Sequence, residues 1–401
     1  MAGLTPASAA AIEAAAHVLG SARHLALLQA LQPLQKPQQP QQARTAAAVP
    51  QQWLTWPVPF ADGLPMLLAL RGQPVVLLAS GDPFWFGAGS SVTKYLDRSE
   101  WQALPAPSTF ALAAARLGWP LEQTLCLGLH AAPLARLRPH LAPGARVLVL
   151  LRDGPAVAEL AAWLVETGFG ATALTVLEAL GGPRERRRDA SAQTFDLPDV
   201  GHPVAVALQV AGSGAVLPRS SGLDDGWFAH DGQLTKQPLR ALALSALAPR
   251  PGERLWDIGA GSGSISIEWL LAHPHCEAVA VEADAERAER LRGNAARLGV
   301  DRLVLVLGRA PAALAGLAPP QAVFIGGGLS EALLTALWPL LPAGCRLVAH
   351  AVTLESEALL AAWHGLCGGR LLRIELAEAQ PLGTRRGWRA AYPIVQWCVT
   401  R

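Results

Sequence analysis

Hydrophobic residues in the second half of the chain occur in short runs, and small or polar residues follow each run. The runs are 255–258, 278–281, 303–307, 322–325 and 346–349. Helical spacing of apolar residues separates them, at 284–298, 330–340 and 354–365. Short continuous runs favour buried strands, and strands that alternate with helices favour a parallel, doubly wound sheet. The pattern predicts an α/β domain that binds its ligands at the carboxyl ends of the strands.

The first half of the chain shows a weaker form of the same pattern. Apolar runs predict strands at 74–80, 125–129, 146–151, 172–177 and 204–210. Helical spacing predicts helices over 110–117, 155–167 and, with Thr5 as N-cap, over 6–18. Residues 31–52 are rich in Gln, Pro and Ala, which predicts a flexible low-complexity insertion. The weakly periodic segment 212–233 predicts a domain boundary.

A glycine-rich loop follows the run 255–258. Gly259, Gly261 and Gly263 occupy alternate positions, and a helix is predicted from Ser264. Glycines let a ligand approach the backbone, and a helix start offers unpaired N–H groups. The dinucleotide fingerprint G-x-G-x-x-G/A does not fit, because Ser264 stands at its last position. The spacing G-x-G-x-G, with Asp257 two residues before its first glycine, instead predicts a site for S-adenosylmethionine (SAM).

Two later strand ends add to this predicted site. Glu282 ends the run that begins at Ala278, where an acid can accept both hydroxyls of a ribose. Gly308 and Ala310 follow the next run, where small residues let an adenine ring lie against the backbone. A similar loop in the first half, Gly81-Asp82, follows the run 74–80, but composition alone does not separate it from an ordinary turn.

Composition restricts the class of protein. The 401 residues are 51% hydrophobic, which is enough for two cores. The 33 basic and 31 acidic residues leave a net charge of +2, and without a basic stripe we expect no nucleic-acid partner. No apolar run reaches the roughly 18 residues that span a membrane. Five cysteines without a CxxC pair favour a reducing, cytoplasmic location, and we expect no metal site.

The first half also carries the motifs of a known family. These are Leu4-Thr5-Pro6, Arg23-His24-Leu25, Leu78-Ala-Ser-Gly-Asp-Pro83, Ser108-Thr109 and the stretch 177–186. With them, residues 1–211 resemble the tetrapyrrole methylases, in their CbiE-like branch. The resemblance implies an α/β domain in which Gly81, Asp82, Ser108 and Thr109 contact SAM. Family members begin with a strand and a V-G-I-G-x-x-G loop before L-T-P, so we expect that first strand to be missing here.

The second half resembles the CbiT-like methyltransferases. The matching segments are 228–236, 256–264, 324–328 and 348–355. We therefore expect a Rossmann-like class I SAM methyltransferase domain over 234–401, after a linker and SAM-capping segment at 212–233. Gln233 and Thr235 fall in the segment that covers SAM in that family.

Together the two resemblances imply SAM-dependent methylation of a precorrin macrocycle at C5 and C15, with decarboxylation of its C12 acetate, in cobalamin biosynthesis. His350 and Glu355 are candidates for a catalytic acid or base. Candidates for binding the substrate carboxylates are Lys236, Arg240 and Arg309. Lys236 is also a catalytic candidate. A homo-oligomer is expected, since CbiT-like domains tend to form tetramers. The alternatives are C15 methylation and decarboxylation alone, a SAM methyltransferase with another substrate, an NAD-dependent oxidoreductase or a scaffold.

The densest basic stretch, 184–188, is predicted to be a solvated loop.

Overall fold

The structure, a computed structural model, describes residues 4–31 and 50–401, which divide into two units. The first unit extends to Ala131 and includes Pro143–Ser213, and the second joins Ala132–Ala142 to Gly214–Arg401. The low-complexity insertion predicted at 31–52 lies mostly outside the described residues. At its end, Gln52 already begins a strand.

The first unit contains two sheets. Its strands are β1 His17–Gly20, β2 Gln52–Thr55, β3 Val75–Leu77, β4 Leu125–Gly128, β5 Arg146–Leu151, β6 Ala173–Glu178, β7 Arg186–Ser191 and β8 Val204–Gln209. The first three form a parallel sheet in the order β2-β1-β3. The other five form a mixed sheet in the order β4-β5-β8-β6-β7, in which β4 and β5 are the parallel pair.

The helices of this unit connect and cover these strands. They are α1 Pro6–Ala14, α2 Ala22–Leu31, α3 Gly63–Leu68, α4 Gly89–Val92, α5 Thr109–Leu117 and α6 Pro155–Glu166. Thr5 caps α1, because its hydroxyl accepts a hydrogen bond from the Ser8 N–H at 3.1 Å. The predicted helix over 6–18 is nevertheless too long. Val18 and Leu19 are fully buried and pair with strands on both sides, so the sheet takes the backbone groups that a longer helix would use.

The second unit is a doubly wound domain. Its helices are α7 Gln237–Leu247, α8 Ser264–Ala272, α9 Ala285–Arg297, α10 Glu331–Leu337 and α11 Leu354–Cys367. Its strands are β9 Arg254–Ile258, β10 Glu277–Glu282, β11 Val304–Leu307, β12 Ala322–Ile325, β13 Arg346–Ala351, β14 Arg370–Ile374, β15 Ala377–Leu382, β16 Arg385–Ala390 and β17 Ile394–Thr400. The predicted strands of this half are confirmed to within two residues, whereas β14–β17 were not anticipated.

Seven of these strands form one sheet, in the order β11-β10-β9-β12-β13-β17-β14. The first five are parallel, and β17 runs antiparallel between β13 and β14. The chain order reverses between β9 and β12, which is where an open α/β sheet binds its ligand. The strands β15 and β16 pair only with each other, as a hairpin.

Apolar side chains cover both faces of the large sheet. Trp256 lies in the cluster that contains Trp397, whereas its neighbour Leu255 lies in the cluster that contains Phe324. This alternation follows from the two-residue repeat of a strand. Each fully buried side chain of this size contributes roughly 1.5–3 kcal/mol. The sheet therefore provides a rigid base for the loops at its carboxyl edge.

A short segment from the first half of the chain belongs to the second unit. It contains a 3-10 helix, Leu134–His140, and Arg136 forms a two-pronged ion pair with Asp301 at 2.8 and 3.0 Å. A Cβ at Gly299 would lie 2.2 Å from the carbonyl oxygen of Ala135, so the two backbones meet closely there. In the part of the chain that the structure describes, no helix has the length and apolar character to cross a membrane.

Candidate functional site

The loop after β9 contains three glycines with different surroundings. Gly259, Gly261 and Gly263 all have positive φ, at 70°, 56° and 77°. A Cβ on Gly259 would meet the Gly327 backbone at 2.7 Å, and one on Gly263 would meet the Leu291 side chain at 2.6 Å. A Cβ on Gly261 would meet no atom within 4 Å. Gly259 and Gly263 thus allow close packing, whereas Gly261 faces open space.

Glu282 connects this loop to the next strand end. Its carboxylate is buried and accepts the Gly261 N–H at 2.7 Å. The other oxygen accepts the N–H groups of Ala283 and Asp284 at 2.8 and 2.9 Å. The Gly308 N–H in turn donates to the Glu282 carbonyl at 2.8 Å. The predicted site residues Gly261, Glu282 and Gly308 are therefore joined by hydrogen bonds, although contact with a ribose stays a prediction.

Asp257 lies completely buried beneath the loop. Its Oδ2 accepts hydrogen bonds from the N–H and hydroxyl of Ser266, at 3.1 and 2.6 Å, at the start of α8. Its Oδ1 has no hydrogen-bond partner among the described residues. Burial raises the pKa of Asp257 to about 6; the bonds from Ser266 oppose this and the charge of Glu282 adds to it. Buried polar atoms are normally paired, so the unpaired oxygen makes Asp257 a candidate to meet a donor or a cation of a ligand, and that contact stays a prediction.

The turn after β11 borders an open cavity. Arg309, Ala310, Pro311 and Ala312 line a space of about 580 Å³ together with Ala336 and Leu340. Arg309 is exposed, so it remains a candidate for contact with a charged ligand. A larger cavity of about 800 Å³ lies where β9, β10 and β11 begin. We do not assign it to this site, because it lies at the opposite edge of the sheet from the glycine-rich loop.

The segment before α7 is held at both ends. The Gln233 N–H donates to the Asp231 carboxylate at 3.0 Å, and Asp231 pairs with Arg287 of α9 at 2.8 Å. The Thr235 carbonyl accepts a hydrogen bond from Arg240. These contacts fix the path of the backbone at Gln233 and Thr235. Their predicted role in covering SAM stays a prediction.

Arg240 does not face a substrate, and this prediction is wrong. Its side chain is fully buried, donates to Glu268 at 2.5 Å and to Asp225 at 3.1 Å, and lies 4.8 Å from the centre of the Phe228 ring. Glu268 also accepts the N–H groups of Gly222 and Leu223. Burial of a guanidinium requires such pairing. Arg240 thus holds the segment before α7 against the domain.

The three predicted acid, base or catalytic residues lie on different elements of the second unit. Lys236, the residue before α7, is exposed and its Nζ lies 3.6 Å from Asp225. His350 lies within β13, not beyond its end, and its Nε2 is 2.9 Å from the Gln396 side-chain oxygen. Burial lowers the pKa of His350, with Gln396 opposing, so the imidazole is neutral at pH 7. No described hydrogen bond or ion pair joins Lys236, His350 and Glu355.

Glu355 lies on the first turn of α11 and is exposed. The backbone N–H at this helix start, and then the Thr353 hydroxyl, lower the pKa of Glu355. Its carboxyl is therefore ionised near neutral pH, which suits a base better than an acid.

In the first unit, the predicted contact residues also meet. A Cβ on Gly81 would lie 3.1 Å from both the Pro107 carbonyl and the Ser108 Cα, so this loop packs on the start of α5. Asp82 accepts the Phe84 N–H at 2.8 Å, and Ser108 caps α5 by accepting the Ala111 N–H at 3.1 Å. Thr109 is the first residue of α5. The polar groups of Asp82 and Ser108 thus have local partners.

Sequence reasoning missed Asn294, which supports the site of the second unit. This buried side chain donates to the carbonyls of Ser262 and Ala229, at 3.0 and 2.9 Å, and accepts the Ala229 N–H at 2.9 Å. It therefore connects α9 to the glycine-rich loop and to the segment before α7. An Asn at a buried position of an otherwise charged helix is the signal that could have identified it.

Two family models match the chain, one for each half. Residues 1–196 match Tetrapyrrole (Corrin/Porphyrin) Methylases, and residues 226–401 match a precorrin methyltransferase domain. With the doubly wound sheet and its glycine-rich loop, this defines a two-domain methyltransferase of the tetrapyrrole-modifying class. The precorrin-6Y C(5,15)-methyltransferase [decarboxylating] of a Sinorhizobium species is 51% identical over 350 residues, 86% of this chain and 84% of the relative. The chain belongs to the family of precorrin-6Y C(5,15)-methyltransferases (decarboxylating).

Two further relatives support this assignment to the family. The protein of the same name from Mycobacterium tuberculosis is 41% identical over 409 residues, 100% of this chain and 97% of its own. A shorter relative, the cobalt-precorrin-6B C(15)-methyltransferase (decarboxylating) of Salmonella typhimurium, is 34% identical over 168 residues. That match covers 40% of this chain and 85% of the relative. The family resemblance seen in the sequence is confirmed.

Proposed function

We propose that this chain transfers two methyl groups from SAM to precorrin-6Y, at C5 and C15, and removes the carboxyl group of the C12 acetate. We assign C5 to the first unit, and C15 with decarboxylation to the second. The relatives that span the chain bear the double activity in their names, and the shorter relative bears the C15 activity with decarboxylation. The observation that supports the proposal best is the buried, half-satisfied Asp257 beneath an open glycine-rich loop.

The residues of the second unit fit SAM. The free Oδ1 of Asp257 offers an acceptor for an ammonium group, and Glu282, held by three backbone N–H groups, is placed for hydroxyls. Gly261 leaves room for the ligand, and we propose that adenine lies against the turn that contains Gly308 and Ala310. When bound, SAM supplies an electrophilic methyl group on its sulfonium. The protein's part is to align that group with an electron-rich carbon of the macrocycle.

Decarboxylation requires that the acetate loses CO2 and that its carbon gains a proton. The macrocycle can take up the electron pair, so the protein has to hold the carboxylates and control a proton. Lys236 and Arg309 are exposed cations that we propose for the carboxylates. We retain His350 for the proton, since a half-buried neutral imidazole beside Gln396 can accept and return one. Glu355, exposed and ionised, is the weaker candidate.

Counting products tests this function. The full chain is incubated with precorrin-6Y and [methyl-13C]SAM, and the added methyl groups and the released CO2 are measured by mass spectrometry and NMR. We expect two methyl groups and one CO2 per macrocycle. One methyl group at C15 with CO2 supports the narrower alternative, in which the second unit works alone. No transfer to the precorrin, with transfer to another substrate, contradicts the proposal.

Other features of the working protein are also proposals. We take 1–211 as the methylase half, 212–233 as linker and SAM-capping segment, and 234–401 as the second catalytic half. We propose a cytoplasmic homo-oligomer, with a tetramer assembled through the second unit as the expected form. Its hairpin exposes Leu382 and Trp388, at 70% and 79%, and an isolated two-stranded hairpin is only marginally stable in water. Light scattering on the purified chain measures the number of subunits.

A further inference from the structure

A polar cluster lies at the carboxyl edge of the first parallel sheet. Arg23 and His24 are on the first turn of α2, directly after β1, and Ser80 follows the neighbouring strand β3. The Arg23 guanidinium lies 2.8 Å from both His24 Nε2 and the Ser80 hydroxyl, and these two are 2.7 Å apart. Ser80 immediately precedes Gly81 and Asp82. The cluster therefore borders the loop predicted to contact the methyl donor.

His24 is neutral and orients the Arg23 guanidinium by accepting a hydrogen bond from it. Burial and then the charge of Arg23 lower the pKa of His24, with the Leu78 backbone opposing. A neutral imidazole can accept the Arg23 N–H at Nε2, whereas a protonated one could only donate. Arg23 uses Nη2 for both contacts, and its Nε and Nη1 donate to no described residue. Three N–H bonds of the guanidinium, one on Nε and two on Nη1, are thus left available while the contacts of Nη2 fix the orientation of the group.

No carboxylate compensates this charge. Arg23 forms no ion pair with any described residue, and the undescribed residues 1–3 and 32–49 include no Asp or Glu. A second cation lies close by, since burial and then the charge of Arg184 lower the pKa of Arg23. Arg184 likewise forms no ion pair among the described residues. Most other arginines of this unit do, as Arg186 and Arg188 with Glu178 or Arg116 with Glu185 illustrate.

Two unpaired guanidinium groups at a ligand-binding edge favour an anionic ligand. A charge-assisted hydrogen bond from a free N–H of Arg23 to a carboxylate oxygen is among the stronger hydrogen bonds in proteins. A carboxylate can come from the macrocycle side chains or from the methionine part of SAM. The same loop continues into Phe84, Trp85 and Phe86, which are 45%, 41% and 48% exposed. Flat apolar rings beside the cations favour the macrocycle.

We propose that Arg23, oriented by His24 and Ser80 and assisted by Arg184, binds a carboxylate side chain of the macrocycle in the first unit. This inference rests on the proposed function, because it takes the precorrin as the ligand of that unit. Arg23 here is a binding residue for the substrate, and His24 is a positioning residue that acts through it.

The test uses the full chain and four variants: Arg23→Gln, Arg23→Lys, Arg184→Gln and, as matched control, Arg187→Gln. Arg187 is a half-exposed cation of the same region that already has Asp189 as a partner. Loss of a charge-assisted contact predicts a KM for precorrin-6Y in C5 methylation that rises about tenfold to a hundredfold in Arg23→Gln. We expect kcat to stay within about threefold, Arg23→Lys to restore part of the affinity, and Arg187→Gln to match the parent.

Binding measurements separate the two carboxylate sources and remain valid without turnover. Calorimetry with S-adenosylhomocysteine reports on the donor, and fluorescence titration with uroporphyrin I, an eight-carboxylate tetrapyrrole, reports on the macrocycle. We expect Arg23→Gln to weaken the porphyrin alone. Weakening of S-adenosylhomocysteine alone would overturn the assignment to the macrocycle and place the donor carboxylate there. Unchanged affinity for both ligands in a folded variant overturns the site altogether. Absent C5 methylation by the parent chain, with intact porphyrin binding through Arg23, would count against the proposed function only.

Discussion

Two loops of this chain follow strands of parallel sheets and are rich in glycine, yet their glycines serve different purposes. After β3, added Cβ atoms on Gly81, Gly87 and Gly89 would meet the chain's own backbone at 2.6–3.1 Å. After β9, the same holds for Gly259, but Gly261 faces open space. Glycine spacing alone therefore does not reveal whether a loop is shaped for a ligand or for its own packing.

The charges beside the two loops are opposite. Asp257 and Glu282 are buried carboxylates beside the loop of the second unit, which suits hydroxyls and a cationic ligand. Arg23 contacts Ser80 beside the loop of the first unit and feels the charge of Arg184, and this combination suits an anion. Since both halves belong to methyltransferases, we infer that they divide recognition differently. On this inference, the buried carboxylates of the second unit bind the methyl donor. The guanidinium groups of the first unit bind the methyl acceptor.

The largest expected effect is on stability, and it comes from removing Arg240, which is buried and paired with Glu268. This substitution tests whether a paired arginine stabilises the fold, in contrast to an arginine that is left to bind a ligand. Arg240→Met leaves the buried Glu268 without its cation, which should lower the free energy of unfolding by about 3–5 kcal/mol. Urea denaturation measures this. Lys236→Met, an exposed neighbour, should change it by less than about 1 kcal/mol. If Arg240→Met unfolds like the parent but fails to bind precorrin, Arg240 faces the substrate after all.

The next largest expected effect is on binding of the methyl donor, and it comes from substituting Gly261, the glycine that faces open space. Gly261→Ala introduces a methyl group into the space proposed for SAM, and we expect S-adenosylhomocysteine affinity and C15 methylation to fall about a hundredfold. Gly252→Ala is the matched control, because Gly252 also has positive φ, 81°, and no atom near its Cβ direction, but precedes β9 at the other edge of the sheet. Both substitutions strain the backbone similarly, by about 1 kcal/mol. Equal loss of binding in both variants would mean that strain, not occupied space, explains the effect.

The sequence alone predicted those parts of the candidate site that are built from residues close together in the chain. The positions from Asp257 to Ser264 and the strand ends at Glu282 and Gly308 follow from local pattern. Contacts across the fold did not: Arg240 was expected at the substrate and is interior, because only the tertiary structure supplies Glu268. The stretch 184–188 was predicted to be a solvated loop, but Arg186 begins β7 and pairs with the buried Glu178.

The short strand β1 was missed for a related reason. Its four residues are all buried, and the preceding helix gave no sequence signal for its end at Ala14. Its strand neighbours lie about 35 and 58 residues further along the chain. Pairing of that range overrides local propensity. The cluster of Arg23, His24 and Ser80 depends on the same pairing, so only the fold could bring it to attention.

The smallest expected effect depends on pH and concerns Asp257. Its raised pKa means that the native state binds its proton more tightly than the unfolded state, whose pKa is near 3.8. The contribution to stability is therefore greatest below that value and is lost as pH rises through about 6. Asp257→Asn should remove this loss, so above pH 6 we expect the variant to unfold at a higher temperature than the parent. Thermal unfolding from pH 5 to 8 measures it.

The same substitution should weaken the methyl donor about tenfold at pH 7.5, because a neutral amide binds an ammonium group less well than a carboxylate does. The parent's affinity for S-adenosylhomocysteine should fall as pH drops below about 6, and that of Asp257→Asn should stay flat. Asp62→Asn, an exposed acid of the first unit, is the control for both measurements. A parent affinity that does not change between pH 5 and 7 would mean that Asp257 supports the loop without meeting the ligand. The buried charge of Asp257 would then be structural, and the proposed division of recognition would not hold for the second unit.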